Sequence, residues 1–180
     1  PDMVPRIAFA LDQPTQLTGA GVDLGLTVEA FAVPGKIALF LEKGGEAANY
    51  GSRDGDTIGL KITQTATGKS FFYIPGCAEI DPPLAQRITG ATLIFLDGTL
   101  FTDDEMVAQG LSHKTAQRMG HISISGPQGS IAALKPLNIA RRIYVHINNS
   151  NPVLDENSEA RKLVDSAGWE VGFDGMEVRL

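Results

Sequence analysis

The sequence has little cysteine, little histidine and no surplus of cations. Cys77 is the single cysteine among 180 residues and has no partner for an internal disulfide, so we expect a reducing, cytoplasmic location. One cysteine also excludes a cysteine-rich zinc module within these residues. Lysine and arginine number 15 against 21 aspartates and glutamates, and the net charge of -6 argues against a nucleic-acid or anionic-membrane partner. No apolar run approaches the roughly 18 residues that span a bilayer.

The beginning of the sequence has neither an initiator methionine nor a signal-peptide pattern. It starts with Pro1 and Asp2, and we expect that it begins inside a longer protein. Hydrophobic residues make up 43% and charged residues 20%, as in ordinary globular domains. The length predicts a single domain over residues 1–180.

The pattern of apolar residues predicts strands first and strand-helix units later, which is typical of an α/β fold. A helix capped by Asp81 and continuous apolar strands before Asp97 and His146 belong to the second part. We also predict a C-terminal hairpin over 169–180, turning at Asp174-Gly175. The predicted strands are 6–11, 28–33, 36–42, 57–63, 70–74, 91–96 and 142–145, with the third to fifth forming an antiparallel meander; the predicted helices are 81–88, one starting near 102–105, 127–134 and 158–167.

Polar side chains at strand ends are the candidates for chemistry, because loops beyond the carboxyl ends of strands converge around a crevice. Asp97 and His146 each follow a buried strand, and His121 lies between Gly120 and Ile122. Carboxylate oxygens and imidazole nitrogens suit zinc, iron or manganese, and also acid-base work. Spacing alone leaves simpler roles open: a turn former for Asp97, a hydrogen-bonded core residue for His146 and a turn for His121.

Two further features bear on this site. The tract 148–152 reads Asn-Asn-Ser-Asn-Pro, and small polar residues are costly to bury unless they are hydrogen-bonded. Asn148 and Asn149 are therefore candidates to orient His146 or to reach a substrate. The remaining histidine, His113, is expected either to be exposed to solvent or to contact the metal ligands without binding the metal itself. Cys77 has no cationic neighbour in sequence, so a structural role is expected for it.

Three motifs occur together in one order: DGTLF at 97–101, MGHISI at 119–124 and YVHINNSNP at 144–152. With them the chain resembles the pyrroloquinoline quinone biosynthesis B family of the metallo-β-lactamase-fold superfamily, over roughly the last three-fifths of that family. The resemblance implies an αββα sandwich whose N-terminal part, with a further His/Asp metal motif and a cysteine cluster, lies outside this sequence. It implies Asp97 and His146 as metal ligands, and His121 as a catalytic residue, a proton donor or a neighbour of the ligands.

The activity implied by the resemblance is iron-dependent hydroxylation of the tyrosine ring of a Glu-Tyr-derived quinone precursor. Zinc or manganese are the other metals considered, and the metal is expected to be weak or absent with only two ligands in this chain. Two alternatives are a carrier that moves the quinone or its precursor to the periplasm and a metal-dependent hydrolase. A third is that these 180 residues alone are catalytically silent. An uncovered sheet predicts a possible homo-oligomer or aggregation.

Overall fold

A computed structural model describes residues 9–36 and 55–180 of the chain. These residues form one mixed sheet of seven strands, whose spatial order follows the chain from β1 to β7. The first four strands are antiparallel neighbours and the last four are parallel neighbours. The strands are β1 (Pro14–Gly19), β2 (Val22–Ala32), β3 (Ile58–Gln64), β4 (Ser70–Ile74), β5 (Leu93–Asp97), β6 (Arg141–Val145) and β7 (Glu170–Val171).

The antiparallel half confirms two of the predicted meander strands, β3 and β4. Their neighbour is β2, which begins earlier than the predicted 28–33 because it forms a hairpin with β1 around Ala20-Gly21. Both turn residues have a positive φ, 49° and 79°, as a two-residue hairpin turn requires. This hairpin was not predicted, since no residue of β1 is buried and the first six residues of β2 are exposed or half-buried. The strand predicted over 36–42 lies outside the described residues after position 36, and so do residues 6–8 of the strand predicted over 6–11.

In the parallel half, helices connect successive strands, as parallel pairing requires. The helices are α1 (Pro82–Ile88), α2 (Glu105–Ala108), α3 (Ala116–Met119), α4 (Ser130–Leu134) and α5 (Glu159–Ser166). Asp81 caps α1 by accepting from the Leu84 N–H at 2.9 Å, as predicted. Helix α4 is shorter than the predicted 127–134, because Gly129 stands at its N-cap in an extended conformation. No helix in the two described ranges is long and apolar enough to cross a membrane.

The core lies on one face of the sheet, beneath α1, α4 and α5. Side chains alternate across β4: Phe72 and Ile74 point into this core, whereas Tyr73 is exposed on the opposite face. Buried residues of the helices, such as Ile88 and Val164, complete the cluster. The described residues therefore make one sheet layer and one helix layer, and the α/β class is confirmed.

The C-terminal hairpin prediction is wrong. Trp169 stacks on Tyr144 in the core, with ring centroids 4.1 Å apart, and the short β7 pairs in parallel with β6. The Gly172 N–H continues this ladder by donating to the Tyr144 carbonyl at 2.9 Å. Residues 172–180 form a turn and an extended tail without strand pairing. The alternation of buried and less buried side chains at Trp169 and Val171 therefore results from pairing with β6 and not with a returning strand.

Candidate metal centre

Asp97, His121 and His146 come together at the carboxyl ends of β5 and β6. Asp97 is the last residue of β5 and pairs with Val145, so the next residue on the neighbouring strand is His146. His121 arrives from the loop after α3. Each of the three offers one ligand atom, and these atoms lie within 4.8 Å of one another. Parallel pairing brings Asp97 and His146 together, whereas only the tertiary fold adds His121.

The contacts inside this cluster are short. His121 Nδ1 lies 2.7 Å from Asp97 Oδ2, a hydrogen bond, and His146 Nδ1 lies 3.8 Å from Asp97 Oδ1, the distance of an ion pair without a direct hydrogen bond. The two imidazole rings stack with centroids 5.4 Å apart. One carboxylate therefore faces two imidazoles, which is a donor set of one oxygen ligand and two nitrogen ligands.

Asp97 is fully buried, and both oxygens of its carboxylate accept hydrogen bonds. Oδ1 accepts from the Thr99 N–H at 3.1 Å and lies 2.6 Å from the Thr99 hydroxyl. Oδ2 accepts from the Cys77 N–H at 3.1 Å, besides its contact with His121. Burial raises the pKa of the Asp97 carboxyl, but the hydrogen bond and charge of His121, the nearby His146 imidazole and the Thr99 hydrogen bond outweigh burial, and the pKa lies below its ordinary value. The carboxylate is therefore held ionised, as metal binding requires.

His146 is the exposed member of the cluster, with about 54% of its side chain open to solvent. Its φ of 55° is in the left-handed region that non-glycine residues rarely adopt, a strain that is common at functional sites. The Asp97 carboxylate raises the pKa of His146 above its ordinary value, while partial burial opposes the shift. The direction of this shift means that the carboxylate favours the protonated form of the His146 imidazole.

Thr99 is a site residue that the sequence analysis missed. Its hydroxyl oxygen lies 2.8 Å from His146 Nδ1 and 3.1 Å from His121 Nδ1, besides its contact with Asp97. The signal was in the Asp-Gly-Thr motif, because a threonine two residues after an aspartate can reach back to its carboxylate. Gly98 between them allows close packing, since a Cβ there would lie 2.8 Å from the Tyr144 Cβ.

The asparagine tract approaches the site through Asn151, the residue of the tract that is 2% exposed. Its Nδ2 donates to the carbonyls of Gly98 at 2.9 Å and Thr99 at 3.3 Å. Asn148 instead turns its side chain to Ser150, and Asn149 is exposed at the edge of the cavity beside His146. The tract therefore ties the loop after β6 to the loop after β5.

Three further titratable residues, Glu105, Cys77 and His113, lie outside this cluster. Glu105 is buried and accepts from the Phe101 N–H and the Ser150 hydroxyl, so the acidic cluster at 103–105 contributes a structural contact. The Cys77 thiol is buried, and burial followed by the charge of Asp97 raises its pKa far above the ordinary value. His113 is exposed on the surface and is not a member of the cluster.

Two cavities flank the cluster, one on each side. The cavity beside His121 has a volume of about 540 Å³ and polar walls that include Glu79, Thr102 and Ser123. The cavity beside His146 has a volume of about 630 Å³. Its walls are mainly apolar and include Phe95, Val145, Ile147, Phe173, Met176 and Val178. Each of the two histidines is thus accessible from a cavity of its own.

The donor chemistry of the cluster fits a divalent metal. Catalytic zinc sites commonly use three protein ligands and keep a position open, and imidazole with carboxylate also suits iron and manganese. The sequence analysis counted two ligands, Asp97 and His146, and the structure adds His121 as a third candidate. Fold and site together define a metallo-β-lactamase-like protein with a candidate metal centre at the strand ends.

Comparison with known proteins agrees with this definition. The chain belongs to the β-lactamase superfamily domain family, whose sequence model matches residues 2–147. It is 48% identical over 177 residues to the coenzyme PQQ synthesis protein B of Gluconacetobacter diazotrophicus, covering 98% of this chain and 57% of that protein. It is 52% identical over 160 residues to the same protein of Rhodopseudomonas palustris, covering 87% of this chain and 50% of that protein.

A solved structure agrees as well. Zinc-bound PqqB from Methylobacterium extorquens superposes with a TM-score of 0.84 at 42% identity, covering 96% of this chain and 55% of that one. The resemblance inferred from the three motifs and the metallo-β-lactamase fold are thereby confirmed. The chain spans about half the length of these relatives.

Proposed function

We propose that this protein acts in the biosynthesis of pyrroloquinoline quinone and binds a divalent metal at Asp97, His121 and His146. The observation that carries the proposal is the convergence of these three side chains in a chain so similar to PQQ synthesis protein B. The zinc carried by the Methylobacterium protein supports a divalent metal in this fold. The two imidazoles and the buried carboxylate would hold the ion.

The finer proposal is that the metal is iron and that the reaction is hydroxylation of the tyrosine ring in a Glu-Tyr-derived precursor. Iron in an N/O site with open positions supplies oxidative chemistry with O₂. The apolar walls beside His146 suit an aromatic ring, since burying apolar surface stabilises a complex. The polar cavity on the other side of the cluster suits the amino-acid part of such a substrate.

The role of His121 has two versions that an experiment separates. As a ligand, it binds the ion together with Asp97 and His146. As a proton donor, it works from the wall of the polar cavity, which it lines together with Ser123. Its 2.7 Å hydrogen bond to Asp97 fixes the ring in either version.

Metal binding by the purified chain tests the coarser proposal. Titration calorimetry with zinc should give about one site per chain. His146→Ala should weaken zinc binding roughly 100-fold or more, because losing a metal ligand costs more affinity than losing a residue that only hydrogen-bonds to a ligand. His113→Ala is the matched control and should bind as the unchanged chain does. Equal weakening by His121→Ala assigns His121 as a ligand, whereas unchanged affinity assigns it as a proton donor. A chain that binds no zinc refutes the metal site.

Turnover tests the finer proposal. The complete protein, loaded with iron and supplied with O₂, should hydroxylate a Glu-Tyr-derived substrate, and His146→Ala should abolish the reaction. Tight binding of the quinone by metal-free protein, without turnover, would favour the carrier instead. Cleavage of an ester or amide without hydroxylation would favour the hydrolase. Mass spectrometry of the products distinguishes these outcomes.

A further inference from the structure

Thr99 lies at the centre of the cluster, and its hydroxyl touches more site groups than one proton can serve. Asp97 Oδ1 at 2.6 Å, His146 Nδ1 at 2.8 Å and His121 Nδ1 at 3.1 Å all lie around its oxygen. The His146 carbonyl lies 3.0 Å away. A threonine hydroxyl donates one hydrogen bond and accepts up to two. The geometry therefore decides which neighbour receives the proton and which must donate.

Asp97 receives the proton. The carboxylate is charged and is closer than the His146 carbonyl, and 2.6 Å is typical of a charge-assisted O–H···O⁻ bond. With its proton committed to Asp97, the hydroxyl can only accept from His146. Nδ1 of His146 must then carry a hydrogen, so the lone pair of the neutral ring lies on Nε2.

We propose that Thr99 is a positioning residue of the metal centre that fixes His146 as its Nδ1–H tautomer. His146 lies 3.8 Å from the Asp97 carboxylate, too far for a direct hydrogen bond, and the Thr99 hydroxyl links the two by bonding to both. His121 needs no such bridge, because it bonds Asp97 directly at 2.7 Å. Asp97 thus orients His121 through Nδ1, and Thr99 orients His146 through Nδ1; hydrogen bonds of this kind set the tautomer and ring orientation of metal-binding histidines.

The inference deepens the proposed function and rests on it for the metal, but the tautomer can be measured without any metal. Two-dimensional ¹H–¹⁵N NMR at a pH where His146 is neutral should show its Nδ1 protonated in the metal-free chain. Thr99→Val keeps the shape of the side chain and the backbone N–H, and removes the hydroxyl alone. The His146 signal should then shift towards the Nε2–H tautomer, which free histidine favours in water. The exposed His113 is the internal control and should not change.

Zinc affinity is the second readout. Thr99→Val should weaken zinc binding about 10- to 100-fold, the usual effect of losing a group that orients a ligand. Thr99→Ser retains the hydroxyl and should restore both the tautomer and the affinity; this rescue also separates a positioning role from a folding defect. An unchanged His146 tautomer in Thr99→Val, or an unchanged zinc affinity, overturns the inference. If the unchanged chain binds no zinc, the proposed metal site fails, and the tautomer measurement still decides the role of Thr99.

Discussion

Asn151 should carry a large share of the stability of the site although it contacts none of the three candidate ligands. Replacing it with alanine removes the acceptor of the Val153 N–H, at 3.1 Å, and the donor to the Gly98 carbonyl, at 2.9 Å. The weaker contact to the Thr99 carbonyl, at 3.3 Å, is lost as well. Both Gly98 and Val153 are buried, so water cannot readily replace the lost partners.

The expected cost follows from those two orphaned groups. A buried polar group left without a partner costs about 1–3 kcal/mol, so the two orphaned groups in Asn151→Ala should destabilise the fold by roughly 2–6 kcal/mol. That is a large fraction of the roughly 5–15 kcal/mol that holds a typical domain together. The carbonyl of Thr99 keeps the Asn148 N–H at 3.1 Å, and for that reason the weaker contact adds little.

Urea unfolding followed by tryptophan fluorescence measures this cost. Trp169 is the single tryptophan and is buried against Tyr144, so its emission reports the unfolding of the core. Asn149→Ala is the matched control: the residue type is the same and lies two positions away, but it is exposed, and the change should stay within about 0.5 kcal/mol. The reasoning is refuted if the two variants lose similar stability, or if Asn151→Ala loses less than about 0.5 kcal/mol.

Three further predictions concern buried groups near the site. Because burial and the charge of Asp97 raise the pKa of the Cys77 thiol, iodoacetamide should label the native chain at least roughly 100-fold more slowly than the unfolded chain; fast native labelling would contradict this. The lowered pKa of Asp97 contributes stability above the carboxyl's ordinary pKa of 3.8, and this stability is lost as the pH falls through the folded pKa. The gap in urea stability between the metal-free chain and Asp97→Asn should therefore shrink as the pH falls from about 5 into the acid range below 3.8. A constant gap over that range would show that Asp97 does not act through its charge. Tyr144→Phe should cost about 1–3 kcal/mol by orphaning the Ser130 hydroxyl, 2.8 Å away, and adding Ser130→Ala should recover part of it; additive losses in the double variant would exclude the coupling.

The parallel strands β5 and β6 and the two candidate ligands at their ends, Asp97 and His146, could be predicted from the local pattern of apolar residues. The continuous apolar runs before Asp97 and His146 predict two buried parallel strands, and their ends lie side by side because neighbouring parallel strands end at the same edge. The N-cap at Asp81 follows from similarly local chemistry. Polar strands carry a weaker signal, and for that reason the hairpin of β1 and β2 was missed.

The contacts that complete the site depend on long-range packing. The C-terminal alternation around Trp169 fits a hairpin as well as a strand paired with β6, and the core decides between them through the stack on Tyr144. Within the asparagine tract, the sequence favoured Asn148 and Asn149 as residues near the ligand, whereas burial selects Asn151 as the anchor. All three positions are asparagine, so only the surroundings of each side chain in the fold distinguish them.

The sequence by itself determined the α/β class, the family resemblance and the placement of Asp97 and His146 at strand ends, because periodicity and short motifs are properties of neighbouring residues. The tertiary structure alone decided that His121, 24 positions after Asp97, bonds its carboxylate, and that Thr99 stands among all three side chains. These contacts depend on how the loops after β5, α3 and β6 pack against one another. Such packing is set by the buried core as a whole and leaves no periodic trace in the chain.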